Sequence, residues 1–211
     1  MEHRLLADAS VIATTGHGMF GFYDEAYDHP EPTRSEGWFA ATSAAVHIYP
    51  RCQLPSPGIR FELWTDAPPG DVTDEGNEPE VQTRLEFQVK AGSIGLMATT
   101  AGVQPGVFEL PAGRYHLHLL GYRRAAMAAK ERDLYARHVA PGDDEWEQAE
   151  GTELYVARFW RLPTPPLTDQ PGDQASERIE TIRSWAKDTG LQVNDHGPIP
   201  DAIIAMYNAT H

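Results

Sequence analysis

Short apolar or alternating runs, separated by proline- and glycine-rich turns, dominate the first 162 residues of this chain. Residues 84–89 alternate polar and apolar side chains, which predicts a strand with one buried face. Six further runs are predicted as strands: residues 11–13, 44–49, 59–64, 94–97, 114–120 and 154–160. Turn sequences such as Pro55-Ser56-Pro57-Gly58 punctuate them. Many short strands with such turns favour a β-sandwich or an open barrel.

Two other segments of this region have their own character. Residues 123–138 are rich in alanine, which favours a helix, and the acidic run 143–147 that follows is predicted as a loop. We expect both to be inserted between two paired strands. The glycine-rich run 16–22 lacks the lysine and hydroxyl residue of a phosphate loop, so a turn is predicted there.

A proline-rich stretch divides the chain. Four prolines lie between Leu162 and Asp173, a composition typical of an extended and semi-rigid spacer. We therefore predict an α+β protein with a β-sandwich-like domain over residues 1–162, a linker over residues 163–175 and a small two-helix module over residues 176–211.

The C-terminal module has the signals of two helices. Ser176 is the predicted N-cap of the first, Gly190 its end, and Pro200 the first turn of the second. The apolar positions fall on facing sides of the two helices, which we expect to pair through Ile182, Trp185, Ile203 and Tyr207. On periodicity alone, a plain helical hairpin that docks on the β domain explains this pattern as well.

A spaced motif favours a more specific interpretation. Its members are Ile182, Arg183, Trp185, Ala186, Gly190, Val193, Gly197, Ile199, Pro200 and Tyr207. Without a gap, this pattern resembles the C-terminal DNA-binding domain of the actinobacterial Lsr-type, H-NS-like nucleoid-associated proteins. The resemblance implies a helix-turn-helix module whose partner is A·T-rich DNA, with an arginine-glycine-arginine loop inserted into the minor groove.

The tip of that loop differs in this chain. His196 and Pro198 stand where the resemblance implies arginines, and only Gly197 is retained. A narrow A·T minor groove attracts cations, whereas an imidazole is mostly neutral near pH 7 and proline carries no charge. Weak DNA contact through His196, Gly197 and Pro198 is therefore expected, with Arg183 and Lys187, one helical turn apart, as the remaining phosphate contacts.

Charge opposes DNA binding. The net charge of the chain is −14. Residues 176–211 contribute −2, from three basic and five acidic residues, and residues 1–175 contribute −12. Because non-specific affinity comes from cation–phosphate contacts, we expect weak binding at physiological salt unless the chain oligomerises. The β domain is expected to self-associate or to bind a protein partner.

The acidity also supports an alternative function. Residues 108–115 and 153–160 resemble the closing hairpin of the small β-sandwich family that includes the competence nuclease inhibitor ComJ. That resemblance implies a protein-binding domain. The alternative is therefore an acidic, immunity-like inhibitor that acts on a basic partner such as a nuclease.

Other sites are weaker. His116 and His118 would share one face of a strand, where His47 or His138 could join them around a metal. A polar outer face opposite buried Tyr115, Leu117 and Leu119 explains the two histidines more simply. No catalytic arrangement, metal or cofactor is predicted, and we expect a non-enzymatic protein. The lone Cys52 excludes an internal disulfide, and no signal peptide or membrane segment is recognised, so a cytoplasmic, nucleoid location is expected.

Overall fold

The computed structural model describes residues 3–15, 17–27, 34–52, 54–69, 77–98, 102–163 and 180–187, together with positions 189, 191, 199, 203–204 and 206–207. The chain divides into two compact units, residues 1–162 and residues 163–211.

The described part of the N-terminal unit is mostly β-structure, as predicted. Its elements in chain order are β1 (Leu5–Ile12), β2 (Phe20–Asp24), β3 (Arg34–Glu36), β4 (Phe39–Ala41), β5 (Ala45–Ile48), β6 (Gly58–Trp64), β7 (Val81–Val89), β8 (Ser93–Ala98), β9 (Gly102–Glu109), β10 (Gly113–Tyr122), α1 (Arg124–Ala136), α2 (Asp144–Glu147) and β11 (Leu154–Arg161). The first sheet has the order β1-β6-β11-β10-β7, and the second sheet has the order β3-β4-β5-β2-β8-β9.

Aromatic side chains join the two sheets into one core. Phe22 of the second sheet lies 5.4 Å from Phe61 and 6.2 Å from Phe159 of the first sheet, measured between ring centroids. Phe20 lies 5.7 Å from Tyr155 in the same way. All five rings are essentially inaccessible to solvent. Burial of each such side chain stabilises the fold by about 1.5–3 kcal/mol, so these contacts fix the face-to-face packing of the sheets.

The predicted helical insertion is confirmed. Strands β10 and β11 pair in antiparallel register from Tyr115 opposite Arg161 to Tyr122 opposite Leu154, and the two helices lie between them in the chain. The acidic run 143–147 is not simply a loop, however, because Asp144–Glu147 forms one helical turn. Its buried Trp146 donates a hydrogen bond from Nε1 to the carbonyl oxygen of Val139, which holds the turn in place.

The turn predicted for the glycine-rich run 16–22 is wrong over its second half. Phe20–Asp24 is strand β2, which lies between β5 and β8 inside the second sheet. Gly21 explains the error: a Cβ atom at this position would lie 2.5 Å from the carbonyl oxygen of Val46, so the glycine allows close approach of two strands. Strands β3, β4 and β9 were not predicted either, because the first two have three residues each and β9 contains Pro105 and Gly106.

The described residues of the C-terminal unit are helical at 180–187 and at 203–204 and 206–207. Ile182, Ala186 and Ile203 form a buried cluster, against which Trp185 and Tyr207 pack. The predicted contact between these apolar positions is therefore confirmed. The predictions for Ser176, Gly190, Pro200 and linker residues 164–175 lie outside the described residues.

Candidate nucleic-acid interface

The C-terminal unit is held together by a small apolar cluster. Ile182 and Ala186 are one helical turn apart, so both side chains reach the same neighbours, and Ile203 comes from the later helical segment. The rings of Trp185 and Tyr207 meet edge to face, with centroids 5.4 Å apart and planes at 81°. Such a pair adds about 0.5–1.5 kcal/mol beyond its burial and fixes the relative position of the two segments.

The two basic residues predicted to contact phosphate lie in different environments. The Arg183 side chain is 6% exposed, and its Nη1 donates to Oε1 of Glu180 at 2.6 Å, one turn earlier. Lys187 is exposed on the same helix. The charge of Arg183 is offset by this neighbour in the preceding turn. The spacing of Glu180 and Arg183, three residues apart in the sequence, is the signal that could have revealed this pair.

The other predicted DNA contacts, His196, Gly197 and Pro198, lie outside the described residues. Their roles therefore remain predictions from the sequence.

Comparison with known protein families gives a match at the C-terminal segment. Residues 174–210 match the Lsr2 DNA-binding domain. The match begins two residues before the predicted module and includes Arg183, Lys187 and the three residues at the predicted tip. No curated protein sequence matches the chain.

Two solved structures resemble the N-terminal part of the chain. One is ComJ from Bacillus subtilis, an inhibitor of the DNA-degrading activity of NucA, with 13% identity, a TM-score of 0.47, and coverage of 77% of this chain and all of ComJ. The other is the crocagin biosynthetic protein J, with 16% identity, a TM-score of 0.43, and coverage of 76% of this chain and 99% of that protein.

The N-terminal unit contains a second concentration of charge, on the face of the first sheet that points away from the core. Strand register places Arg84 (β7), His118 (β10), Arg158 (β11) and Glu62 (β6) side by side in one row across four strands. Arg158 Nε donates to Glu62 Oε2 at 2.9 Å, and both residues are at most 6% exposed. The prediction of a polar outer face was correct, but it gave no sign that part of this face is buried.

His118 is the titratable centre of this row. Burial, together with the neighbouring charges of Arg84 and Arg158, lowers its pKa to about 4. In the neutral ring, Nε2–H donates to Oε1 of Gln82 at 3.0 Å. His118 is therefore uncharged near pH 7.

The histidines do not converge on a metal. The His116 ring packs at a tilt against Trp160, with ring centroids 5.3 Å apart. Nδ1 of His47, on β5 of the second sheet, lies 3.2 Å from the sulfur of Met19. Within the described ranges, no three histidine, cysteine, aspartate or glutamate side chains are arranged to hold a metal ion. Tyr115, Leu117 and Leu119 are fully buried, which confirms the predicted alternation along β10.

A buried network near the start of α1 also involves polar side chains. The Glu153 carboxylate accepts hydrogen bonds from Tyr155 Oη at 2.6 Å, Arg124 Nε at 3.3 Å and the backbone N–H of Arg51 at 3.0 Å. Burial raises the pKa of the nearby Cys52 thiol to about 12, with Glu131 and Glu153 adding to the effect. A thiol with such a pKa is a poor nucleophile, so Cys52 serves as a packing residue.

None of the helices that the structure describes is long and apolar enough to cross a membrane.

Proposed function

We propose that this chain is a non-enzymatic, DNA-binding accessory or regulatory protein of the nucleoid. Its C-terminal module, residues 176–211, would contact the minor groove of A·T-rich DNA weakly, and a linker over residues 163–175 would join it to the β-rich domain. The match of residues 174–210 to the Lsr2 DNA-binding domain carries this proposal. The packed cluster around Ile182 and Ile203 supports it, because so small a module needs an apolar core to hold a loop in a fixed shape.

The proposed contact depends on few cations. Gly197 would let the backbone approach the groove floor, while His196 contributes little charge near pH 7. Lys187 would supply an exposed phosphate contact, and Arg183, paired with Glu180, would mainly support the helix. Since each phosphate contact adds about 0.9 to the slope of log affinity against log salt, the slope should be shallow.

Fluorescence anisotropy of the full chain with A·T-rich and G·C-rich duplexes of equal length tests the proposal. We expect binding at low salt, preference for the A·T-rich duplex, and a gradual loss of affinity as salt rises, in line with the shallow slope. Lys187→Ala should weaken binding and reduce the salt slope by about 1. Lys90→Ala, an exposed lysine of the β-rich unit, is the matched control and should have no effect. Absence of binding at the lowest salt, even at high protein concentration, would refute DNA binding.

A gain-of-function variant tests the role of the tip. His196→Arg with Pro198→Arg should steepen the salt slope by about 2 and raise affinity for the A·T-rich duplex. The control, Gln104→Arg with Gln148→Arg, adds the same charge at exposed positions of the β-rich unit. If both double variants bind equally, the tip does not enter the groove.

A second candidate function is an acidic inhibitor that binds a basic protein such as a nuclease. The charge of −12 on residues 1–175 favours such a partner. A cleft of about 200 Å³ beside α2 supplies a specific surface, since Trp146 and Pro55 line it together with the acidic Glu147 and Glu150. A partner segment in which one apolar side chain is flanked by basic residues would fit this apolar and acidic lining.

Calorimetry with an arginine-rich peptide that carries one leucine tests the second candidate. Glu147→Gln with Glu150→Gln should weaken binding, while Glu36→Gln with Glu109→Gln should not. Equal weakening by both pairs would show only non-specific attraction and would contradict a docking site at α2.

A further inference from the structure

A cavity of about 330 Å³ opens on the outward face of the first sheet. Its apolar wall comes from Pro68, Pro69 and Pro79 and from the buried side chains of Leu120 and Tyr122. The volume lies at the lower end of the range typical of small-molecule sites, and such sites combine apolar walls with a few converging polar groups. We call it the arginine pocket, after the two arginines on its other wall.

The polar wall of the arginine pocket contains a buried donor with no partner among the described residues. Arg158 is 3% exposed, and its Nε is used by Glu62. Its Nη2 is buried and has no hydrogen-bond partner in the part of the chain that the structure describes. A buried guanidinium nitrogen is rarely left unsatisfied, so this atom indicates a place for an acceptor.

Arg84 provides a second cation at the same place. It lies opposite His118 on one side, as Arg158 does on the other, and all three line the pocket. Side chains directly opposite across strands have Cβ atoms about 5 Å apart. The Arg84 side chain forms no ion pair with any residue in the described ranges. Two guanidinium groups therefore flank a neutral imidazole on one wall.

The charge of the arginine pocket limits what it can hold. Among the residues that line it, Arg84 and Arg158 carry positive charges and Glu78 carries a negative charge. His118 between the arginines is neutral near pH 7. The net charge is +1, which a single negative charge balances, whereas a dianion would be repelled by Glu78.

We propose that the arginine pocket binds a small monocarboxylate with an apolar body. The carboxylate accepts hydrogen bonds from Arg158 Nη2 and from the Arg84 guanidinium, in the geometry that makes arginine a preferred carboxylate partner. The apolar body lies against Leu120, Tyr122 and the prolines. This site lies within the N-terminal unit and is independent of the proposed DNA contact, so either proposal can fail without the other.

NMR titration of the full chain with benzoate, hexanoate and indole-3-acetate tests the proposal. At least one should bind saturably with a dissociation constant on the order of 1 mM or lower, and the His118 ring signals should move. Benzamide, which keeps the shape of benzoate without its charge, and the dianion phthalate should bind at least tenfold more weakly. Failure of all three monocarboxylates to bind at about 20 mM would overturn the proposal.

Two matched arginine variants locate the site. Arg84→Gln should weaken binding of the best probe about tenfold, because Arg84 is exposed and its loss removes a charge-assisted hydrogen bond without breaking the core. Arg114→Gln, on β10 outside the pocket and paired with Glu86, should leave binding unchanged. Equal weakening by both variants would show general attraction to a basic face, and the proposal would then be wrong.

Discussion

Replacing Glu62 with glutamine tests the central ion pair of the first sheet. The Glu62 carboxylate accepts three hydrogen bonds, all at 2.9 Å: Arg60 Nε on Oε1, and Trp64 Nε1 and Arg158 Nε on Oε2. A carboxamide has one acceptor oxygen and would turn its NH₂ group towards a donor. Arg158, 3% exposed, would keep its charge without a counterion.

The expected loss of stability follows from the burial of this ion pair. Removal of one partner from a buried ion pair costs about 3–5 kcal/mol. Glu86→Gln is the matched control: it makes the same chemical change in the same sheet, and Glu86 pairs with Arg114 at 2.7 Å, but both side chains are more than 60% exposed. An exposed pair contributes at most about 1 kcal/mol.

Urea unfolding of the full chain, monitored by circular dichroism, measures both changes. We expect a loss of about 3–5 kcal/mol for Glu62→Gln and less than about 1 kcal/mol for Glu86→Gln. The double variant Glu62→Gln with Arg158→Gln should lose less than the sum of its single variants, since the uncompensated charge is gone. If Glu62→Gln and Glu86→Gln lose similar amounts of stability, burial does not account for the contribution of the Glu62–Arg158 pair, and the reasoning is refuted.

Three further predictions concern other parts of the N-terminal unit. Between pH 6.5 and 4 the unfolded chain protonates His118 while the folded protein does not. The free energy of unfolding should therefore fall by about 1–2 kcal/mol from pH 7 to pH 5. His118→Asn should remove this part of the pH dependence, as measured by urea titrations. Gly21→Ala should destabilise the protein by about 1–3 kcal/mol in the same assay, because the new Cβ atom would meet a backbone oxygen. Gly37→Ala, with open space at Cβ, should be near neutral. The reverse order of the two losses would contradict the close approach of the strands at Gly21. The fully buried Asp24 carboxylate accepts hydrogen bonds from the backbone N–H groups of Lys90 and Ala91 at 2.9 and 2.8 Å. Asp24→Ala should therefore lower the free energy of unfolding by about 2 kcal/mol and speed hydrogen exchange at those two amides.

Local pattern was enough to predict much of this protein. Alternation along residues 84–89 and 114–120 identified strands and their buried faces, because side chains alternate across a strand whatever its partners are. Alanine content identified α1, and the spacing of Ile182, Trp185, Ile203 and Tyr207 identified the apolar contacts of the C-terminal unit. The same spacing led to the family that residues 174–210 match.

Tertiary structure decided what local pattern could not. Strand β2 became an inner strand because Gly21 admits the Val46 carbonyl, a contact with a distant segment. The row formed by Arg84, His118 and Arg158 exists only through the register of three strands that are far apart in the chain. Alternation assigned Arg84 and His118 to the outward face. Register and burial, which are non-local, made them neighbours of Arg158 and lowered the pKa of His118. They also placed beside a cavity a guanidinium nitrogen that has no hydrogen-bond partner among the described residues.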